Sequence, residues 1–220
     1  VYGGNTPLMI WYGLAYLDVY AVTKDPRHRD AALDLARVFA AAQDPADGGW
    51  LAIEGNDRRW GGGAWGPSES RTNGGEPMLW FFGRLRKELG VEDFVENEAR
   101  ANKWVQASCL PEMFWQNVGH HSMDLAMVQD RVAPHALSYC TWLLDYADPK
   151  DKDLKLVMEI ARWCEERHVN WQRLPDAANR SKWDAAQARP SCWGWHRAAG
   201  LGIRNAGSLV YVWTRLWQET

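Results

Sequence analysis

The segment from Trp115 to Asp124 is the densest group of side chains capable of acid–base chemistry or metal binding. It reads Trp-Gln-Asn-Val-Gly-His-His-Ser-Met-Asp, with His120 and His121 adjacent and Asn117 upstream. Imidazole titrates near neutral pH, so either histidine can act as a general base. With Asp124, the two histidines also offer ligands that suit zinc or manganese. Adjacent residues of an extended chain point to opposite sides, which disfavours a shared metal. Histidines that only hydrogen-bond loop carbonyls are the remaining alternative.

A second chemical group lies between residues 170 and 204, where six basic and two acidic residues are interleaved with tryptophans. Guanidinium groups bind carboxylate or sulfate through paired hydrogen bonds, and an indole can stack on a ring. The pattern therefore indicates recognition of an anionic ligand, with a solvated surface loop as the alternative. The candidate binding residues here are Arg189, Trp193, Trp195, His196 and Arg197.

Paired carboxylates would indicate hydrolysis of a glycosidic bond, with the two groups roughly 6.5–9.5 Å apart in inverting enzymes. Five acidic residues on or beside the long connections are considered for this role: Glu54, Asp57, Glu69, Glu76 and Asp124. No pair among them stands out. Glu76 also fits the first turn of a helix, where the helix dipole favours a negative charge.

Seven helices and no strand are predicted to position these groups. Capping and proline signals such as Asp25-Pro26 begin helices, and Gly90 ends one. The first, third, fifth and seventh helices are apolar around most of their circumference, whereas the even helices carry a charged face. We expect the odd helices to be inner and the even helices outer. The predicted helices cover residues 6–23, 26–43, 76–89, 91–108, 134–147, 151–168 and 206–219.

The connections between these helices differ in length. Short ones lead from odd to even helices, and long ones, at 44–75, 109–133 and 169–205, lead from even to odd helices. In antiparallel hairpins the long connections share one rim, and long loops are commonly functional. We therefore place the active or binding site on this rim, in a chain that repeats every 60–70 residues or so. Eight of the 15 tryptophans lie there: Trp50, Trp60, Trp65, Trp115, Trp171, Trp183, Trp193 and Trp195.

Composition narrows the function classes. The chain is 46% hydrophobic and 24% charged, with a net charge of -3, which is typical of a globular protein and disfavours nucleic acid as a partner. No apolar run approaches the about 18 residues of a membrane-spanning helix, so no membrane insertion is expected. The four cysteines lack metal-binding spacing and are predicted to be buried thiols. Because a helix signal follows Val1 at once, we expect a fragment of a longer protein.

The run from Phe39 to Trp50, Phe-Ala-Ala-Ala-Gln-Asp-Pro-Ala-Asp-Gly-Gly-Trp, resembles the outer-helix ending of (α/α)-toroid proteins, where a helix closes with Gln and a Gly-Gly-Trp turn. The alternating helices extend the resemblance over the chain. It implies an all-α, incomplete toroid of antiparallel helical hairpins forming one domain or part of one. Polysaccharide lyases, toroid glycoside hydrolases, and terpene cyclases or prenyltransferases share this architecture. The chain lacks the Asp-rich DxDD and DDxxD motifs of the terpene cyclases.

Residues 115–124 resemble the Asn/His stretches of toroid polysaccharide lyases, in which Asn and His flank a uronate carboxylate. β-Elimination needs a group that neutralises this carboxylate, a base for the C5 proton and an acid for the departing O4. By resemblance, Asn117 with Arg131 would neutralise the carboxylate, and His120 or His121 would be the base.

The resemblance also implies that Tyr139 is the acid, with His135 one helical turn before it on the same face. Toroid carbohydrate enzymes stack sugars on rim tryptophans, which implies contacts from Trp50, Trp60, Trp65 and Trp115. The prediction is a lyase for anionic, uronate-containing poly- or oligosaccharide, without a cofactor. The sequence itself does not indicate a localisation, and a secreted or periplasmic one is suggested by this function alone. A glycoside hydrolase and a non-catalytic helical-repeat binding module are the alternatives.

Overall fold

The structure is a computed structural model, and it describes residues 6–46, 48–51, 71–72, 75–111, 113, 133–168 and 203–220. These residues are mostly helical, which confirms the all-α class. A two-stranded antiparallel ladder, β1 (Trp50–Leu51) with β2 (Arg71–Thr72), departs from the prediction of no strand. The helices are α1 (Thr6–Thr23), α2 (Pro26–Ala42), α3 (Gly75–Leu89), α4 (Val95–Ser108), α5 (Ala133–Thr141), α6 (Leu154–His168) and α7 (Ile203–Glu219).

Two helices begin later than predicted, and local capping explains both. Gly90, at φ +67°, ends α3, and the next turn extends to Phe94 before α4 starts. The N–H of Val91 donates to the carbonyl of Leu85 at 3.1 Å, which closes the end of α3. Asp153 caps α6, because its side chain accepts the N–H of Leu156 at 2.9 Å.

The described helices belong to two compact units, of which the first contains α1 to α4 and the second α5 to α7. In the first unit, α1 packs on α2 and α3, and α3 packs on α4. Buried Arg84 of α3 bridges α1, where its guanidinium is 2.8 Å from Asp18 and also 2.8 Å from Glu88. Arg86 and Glu98, 2.8 Å apart, join α3 to α4.

In the second unit, α5 is surrounded, and every residue from His135 to Leu144 is buried. A π-helical turn, Trp142–Tyr146, continues α5, and the N–H of Ala147 donates to the carbonyl of Trp142 at 2.8 Å. This turn presents Asp145 to α7, where it accepts the Tyr211 hydroxyl and, at 2.9 Å, the Nε of Arg215. Helices α6 and α7 pack on α5 and on each other.

Burial follows the predicted inner and outer helices only in part. Helices α3 and α5 are buried around most of their circumference, and α2 and α6 expose charged side chains, as predicted. Helices α1 and α7, however, each expose one side, on which large apolar side chains lie beside polar ones such as Asp18 in α1 and Gln218 in α7. The prediction that every odd helix is enclosed is therefore wrong for these two. Each packs on other helices of its own unit with its opposite side. None of the described helices has the length and hydropathy that crossing a membrane requires.

The hydrogen bond from the Tyr211 hydroxyl to Asp145 makes the stability of the second unit depend on pH in the alkaline range. Desolvation and this bond raise the pKa of Tyr211 to about 12, above the value of about 10 in an unfolded chain. Between these pH values the unfolded state binds fewer protons than the folded state. The stabilisation that Tyr211 contributes is therefore fully present below pH 10 and is lost as the pH rises towards 12. We expect Tyr211→Phe to flatten this fall in urea unfolding followed from pH 9 to 12.

The difference between the wild type and Tyr211→Phe is the informative quantity, because other groups titrate in the same range. Cys109, Cys140 and Cys164 are free and buried, as predicted, and burial raises the pKa of each thiol. These thiols contribute equally to both proteins. Parallel stability curves for the two proteins would refute the assignment to Tyr211.

Candidate functional site

Most of the predicted site residues lie outside the described part of the chain, and only Trp50, His135 and Tyr139 can be placed. The metal alternative also falls outside it, through His120, His121 and Asp124. Within the described residues, no group of three or more His, Cys, Asp or Glu side chains is arranged to hold a metal ion. The predicted residues outside the described part are Trp60, Trp65, Trp115, Asn117, His120, His121, Arg131, Arg189, Trp193, Trp195, His196 and Arg197.

Gln43 and the run Gly48-Gly49-Trp50, the residues of the toroid-like motif, are buried in the turn between α2 and β1, which the side chain of Gln43 holds. Its Nε2 donates to the carbonyls of Gly48 at 2.8 Å and Asn97 at 3.0 Å. Its Oε1 accepts the Asn97 side-chain amide at 2.8 Å and the Nε of Arg100 at 3.3 Å. One glutamine therefore ties the end of α2 to α4, and the motif serves the architecture.

Helix α4 lies directly against the two glycines of this turn. Gly48 has φ +84°, and a Cβ built on it would overlap the backbone oxygen of Arg100 and lie 2.8 Å from its carbonyl carbon. A Cβ on Gly49 would lie 2.6 Å from the indole nitrogen of Trp104. The turn therefore needs glycine at both positions, and at Gly48 for its backbone conformation as well.

Trp50, predicted to wall the sugar site, is instead a core residue of the first unit. It has no exposed surface, and its indole N–H donates to the carbonyl of Phe39 at 2.8 Å. Its ring lies 6.4 Å from that of Phe82. An enclosed ring has no free face for stacking on a sugar, so the structure corrects the substrate-binding role predicted for Trp50.

His135 and Tyr139 share helix α5, one turn apart, as predicted, but both are buried. Tyr139 has no exposed surface, and its ring stacks on Trp142 with centroids 5.8 Å apart. The prediction that Tyr139 lines a cleft therefore does not hold in this structure. A general acid must come within hydrogen-bond reach of the leaving oxygen, and an enclosed hydroxyl cannot do so without rearrangement of its surroundings.

Of the five carboxylates considered for hydrolysis, Glu76 is the one that lies in the described part of the chain. It lies in the first turn of α3, four residues after β2 ends, and its carboxylate is fully buried. The thiol of Cys109, just after α4, lies 3.4 Å from Oε1 and donates to it. Desolvation and the negative charge of Glu76 raise the pKa of this thiol. A buried carboxylate near neutral donors can act as an acid or base if substrate reaches it, and its place in the helix dipole also stabilises it.

The long connections fall at the predicted places in the order of helices. Residues 52–70 connect β1 to β2 just before α3, 114–132 precede α5, and 169–202 precede α7. The connections into the even helices are much shorter. Each long segment therefore joins the N-terminal end of an odd helix, where unpaired backbone N–H groups favour anions.

Comparisons of the chain with protein-family models, with curated proteins and with solved structures gave no match.

Proposed function

We propose that this chain is part of an (α/α)-toroid carbohydrate-active enzyme, a polysaccharide lyase that cleaves uronate-containing polysaccharide by β-elimination. The supporting observation is that three long segments, which hold most of the candidate residues, all lead into the N-terminal ends of odd helices. Helix α3 and helix α5, which two of them enter, are buried around most of their circumference. In many enzymes the active-site residues lie on long loops that a rigid scaffold, here the buried odd helices, holds in place.

The chemistry is assigned to the segment that enters α5. Asn117 and Arg131 neutralise the C6 carboxylate of a uronate, which makes its C5 proton more acidic. His120 or His121 takes that proton, the C4–O4 bond breaks, and a double bond forms between C4 and C5. The protonated histidine then returns the proton to the departing O4, which leaves as a hydroxyl group. Arg131 precedes α5 by two residues, so the helix end adds to the positive potential at the carboxylate.

A screen of the whole chain on acidic polysaccharides tests the reaction type. We expect absorbance at about 235 nm to rise together with new reducing ends, because β-elimination leaves an unsaturated uronate at the new non-reducing end. New reducing ends without the chromophore would refute the lyase. Polysaccharide binding without either product would favour the non-catalytic binding module.

Replacing His121 tests the proposed base. We expect His121→Ala to slow turnover by about 10²- to 10⁴-fold, the usual contribution of general acid–base catalysis. Its stability in urea should change by less than about 1 kcal/mol. The matched control is His28→Ala, because His28 lies on α2 against the ring of Tyr16 and should leave turnover unchanged. If His120→Ala and His121→Ala both keep normal turnover, the base lies elsewhere.

Tyr139→Phe tests the predicted acid separately. Because the hydroxyl of Tyr139 is enclosed in α5, we expect the variant to keep turnover close to that of the wild type. If turnover instead falls by about two orders of magnitude, the usual loss for a missing general acid, while the melting temperature is unchanged, Tyr139 would be restored as the acid. The protein would then have to expose this hydroxyl during turnover.

Hydrolysis is the second candidate, and Glu76 is the one of its five candidate carboxylates that lies in the described residues; like Tyr139 it is enclosed, so a hydrolase would have to expose it during turnover. A hydrolase would release reducing ends without the absorbance of an unsaturated uronate. Glu76→Gln would then abolish turnover while keeping the shape of the side chain. In a lyase, the same variant should lower stability and leave turnover close to normal, because Glu76 would then have a structural role that includes its contact with Cys109.

A further inference from the structure

The exposed side of α1 brings aromatic rings and a carboxylate together next to α3. Trp11 is 37% exposed, and it meets the half-buried Trp80 of α3 edge to face with ring centroids 6.1 Å apart. Tyr12, which is 61% exposed, follows Trp11. Asp18 lies two turns after Trp11 on the same side of the helix, and its side chain is 69% exposed. These four residues, Trp11, Tyr12, Asp18 and Trp80, are called the α1–α3 surface.

Other residues close the contact between α1 and α3. The ring of Phe81 lies against Gly13, where a Cβ would come within 2.8 Å of the ring. The guanidinium of Arg84 donates to the backbone carbonyl of Leu14 at 3.4 Å. Phe81 is completely buried, as is usual for an aromatic ring that packs two helices together. Trp11 differs, because more than a third of its surface is exposed and is open to a ligand.

The charges beside these rings decide which ligand fits. Arg84 lies between Asp18 and Glu88, 2.8 Å from each carboxylate, and the side chain of Arg84 is only 8% exposed. The positive charge is therefore buried, whereas the carboxylate of Asp18 faces water. The group of three also has one negative charge in excess. Such a surface repels an anionic ligand group, but its carboxylate oxygens accept hydrogen bonds from hydroxyl groups.

We propose that the α1–α3 surface binds neutral sugar rings of a polysaccharide. The planes of Trp11 and Trp80 differ by 78°, so the two indoles form a corner whose flat apolar surfaces match the C–H face of a pyranose. The carboxylate of Asp18 lies about 10 Å further along α1 and accepts hydroxyl groups of a following ring. An oligosaccharide, and not a single sugar, is therefore needed to reach both.

This inference rests on the proposed carbohydrate function and narrows its substrate class. A surface that excludes charged rings indicates a heteropolysaccharide, in which neutral sugars accompany the uronates, and not a pure polyuronate. Trp11 and Trp80 each lie in the second turn of an odd helix, and a long segment leads into α3. The α1–α3 surface therefore lies near the kind of helix end at which the proposed function places the catalytic residues.

Calorimetric titration of the whole chain with short oligosaccharides tests this surface without requiring turnover. The probes are xylohexaose, mannohexaose and cellohexaose as neutral chains and hexagalacturonate as a charged chain. We expect at least one neutral probe to bind, and Trp11→Ala to weaken its binding by about tenfold or more, because aromatic anchors dominate binding energies. Trp217→Ala is the matched control, since this indole is 81% exposed on α7 and its loss should leave binding unchanged.

Replacing Asp18 tests the selection against charged rings. At low ionic strength we expect Asp18→Asn to reduce the preference for the neutral probe over hexagalacturonate by about tenfold. The variant removes the exposed negative charge but keeps a polar side chain of the same shape. Asp34→Asn is the matched control, because Asp34 is an exposed carboxylate of α2 that also pairs with an arginine, Arg37, at 2.6 Å. This control should leave the preference unchanged.

Three outcomes overturn the inference: no neutral probe binds, Trp11→Ala and Trp217→Ala weaken binding equally, or Asp18→Asn keeps the wild-type preference. Circular dichroism checks folding. Trp11→Leu replaces Trp11→Ala if the latter does not fold, because leucine keeps an apolar contact with Trp80 but has no aromatic face.

Turnover is measured separately, so that failure of this surface and failure of the lyase can be told apart. Lyase activity on a heteropolysaccharide with an unchanged KM in Trp11→Ala would refute the α1–α3 surface and leave the lyase intact. Oligosaccharide binding that depends on Trp11, without any unsaturated product, would support the surface and refute the lyase.

Discussion

Replacing Gly48 by alanine is expected to destabilise the first unit by about 2–5 kcal/mol. Gly48 has φ +84°, which costs a residue with a Cβ about 1–2 kcal/mol. The new methyl would also overlap the backbone oxygen of Arg100, and relieving such overpacking costs about 1–3 kcal/mol. A backbone oxygen cannot rotate away as a side chain can, so α4 or the turn must move.

Gly90→Ala is the matched control for this prediction. Gly90 also has a positive φ, +67°, but a Cβ built on it has no neighbouring atom within 4 Å. We expect this variant to lose about 1 kcal/mol, which isolates the cost of the backbone conformation. Urea unfolding followed by tryptophan fluorescence measures both variants. Equal losses for the two variants would show that α4 does not press on the turn.

Trp50→Ala is expected to destabilise the same unit by about 3–5 kcal/mol, the usual cost of deleting a buried aromatic side chain. The carbonyl of Phe39 also loses its indole donor and stays buried. Trp50→Phe, which keeps most of the buried ring but removes the N–H, should lie between alanine and the wild type.

The control for Trp50 is Trp217→Ala, because the ring of Trp217 is almost fully exposed. We expect this variant to change stability by no more than about 0.5 kcal/mol. The comparison also decides between the two roles of Trp50. If Trp50→Ala keeps normal stability but no longer binds polysaccharide, Trp50 is a binding residue and not a core residue.

The helices are predictable because their signals are local. Proline at the first turn, the cap at Asp25 and the stop at Gly90 act within a few residues, and the observed helices follow them closely. The prediction starts α4 at residue 91, directly after the stop at Gly90. The closure of α3 through Val91 takes the chain out of the helix there, and no periodicity shows that bond.

Burial is less predictable, because it depends on what packs against each helix. Tyr139 and Trp50 are amphipathic side chains that suit either a core or a sugar site. The contacts that decide between these roles are Trp142 beside Tyr139 and the carbonyl of Phe39 at Trp50, and neither contact follows from spacing. The apolar residues around α1 predict that the helix is buried on all sides. A sequence pattern does not show, however, which element would pack against each side.

The π-helical turn that ends α5 contains one residue more than a regular α-helix would use over the same length. In an α-helix each residue advances about 100° around the axis, so the additional residue changes the direction in which everything after Trp142 faces. It is this change that points Asp145 at Tyr211 and Arg215. A one-residue deletion here would give a more regular helix and a worse fit, so the length of this segment is constrained independently of its composition.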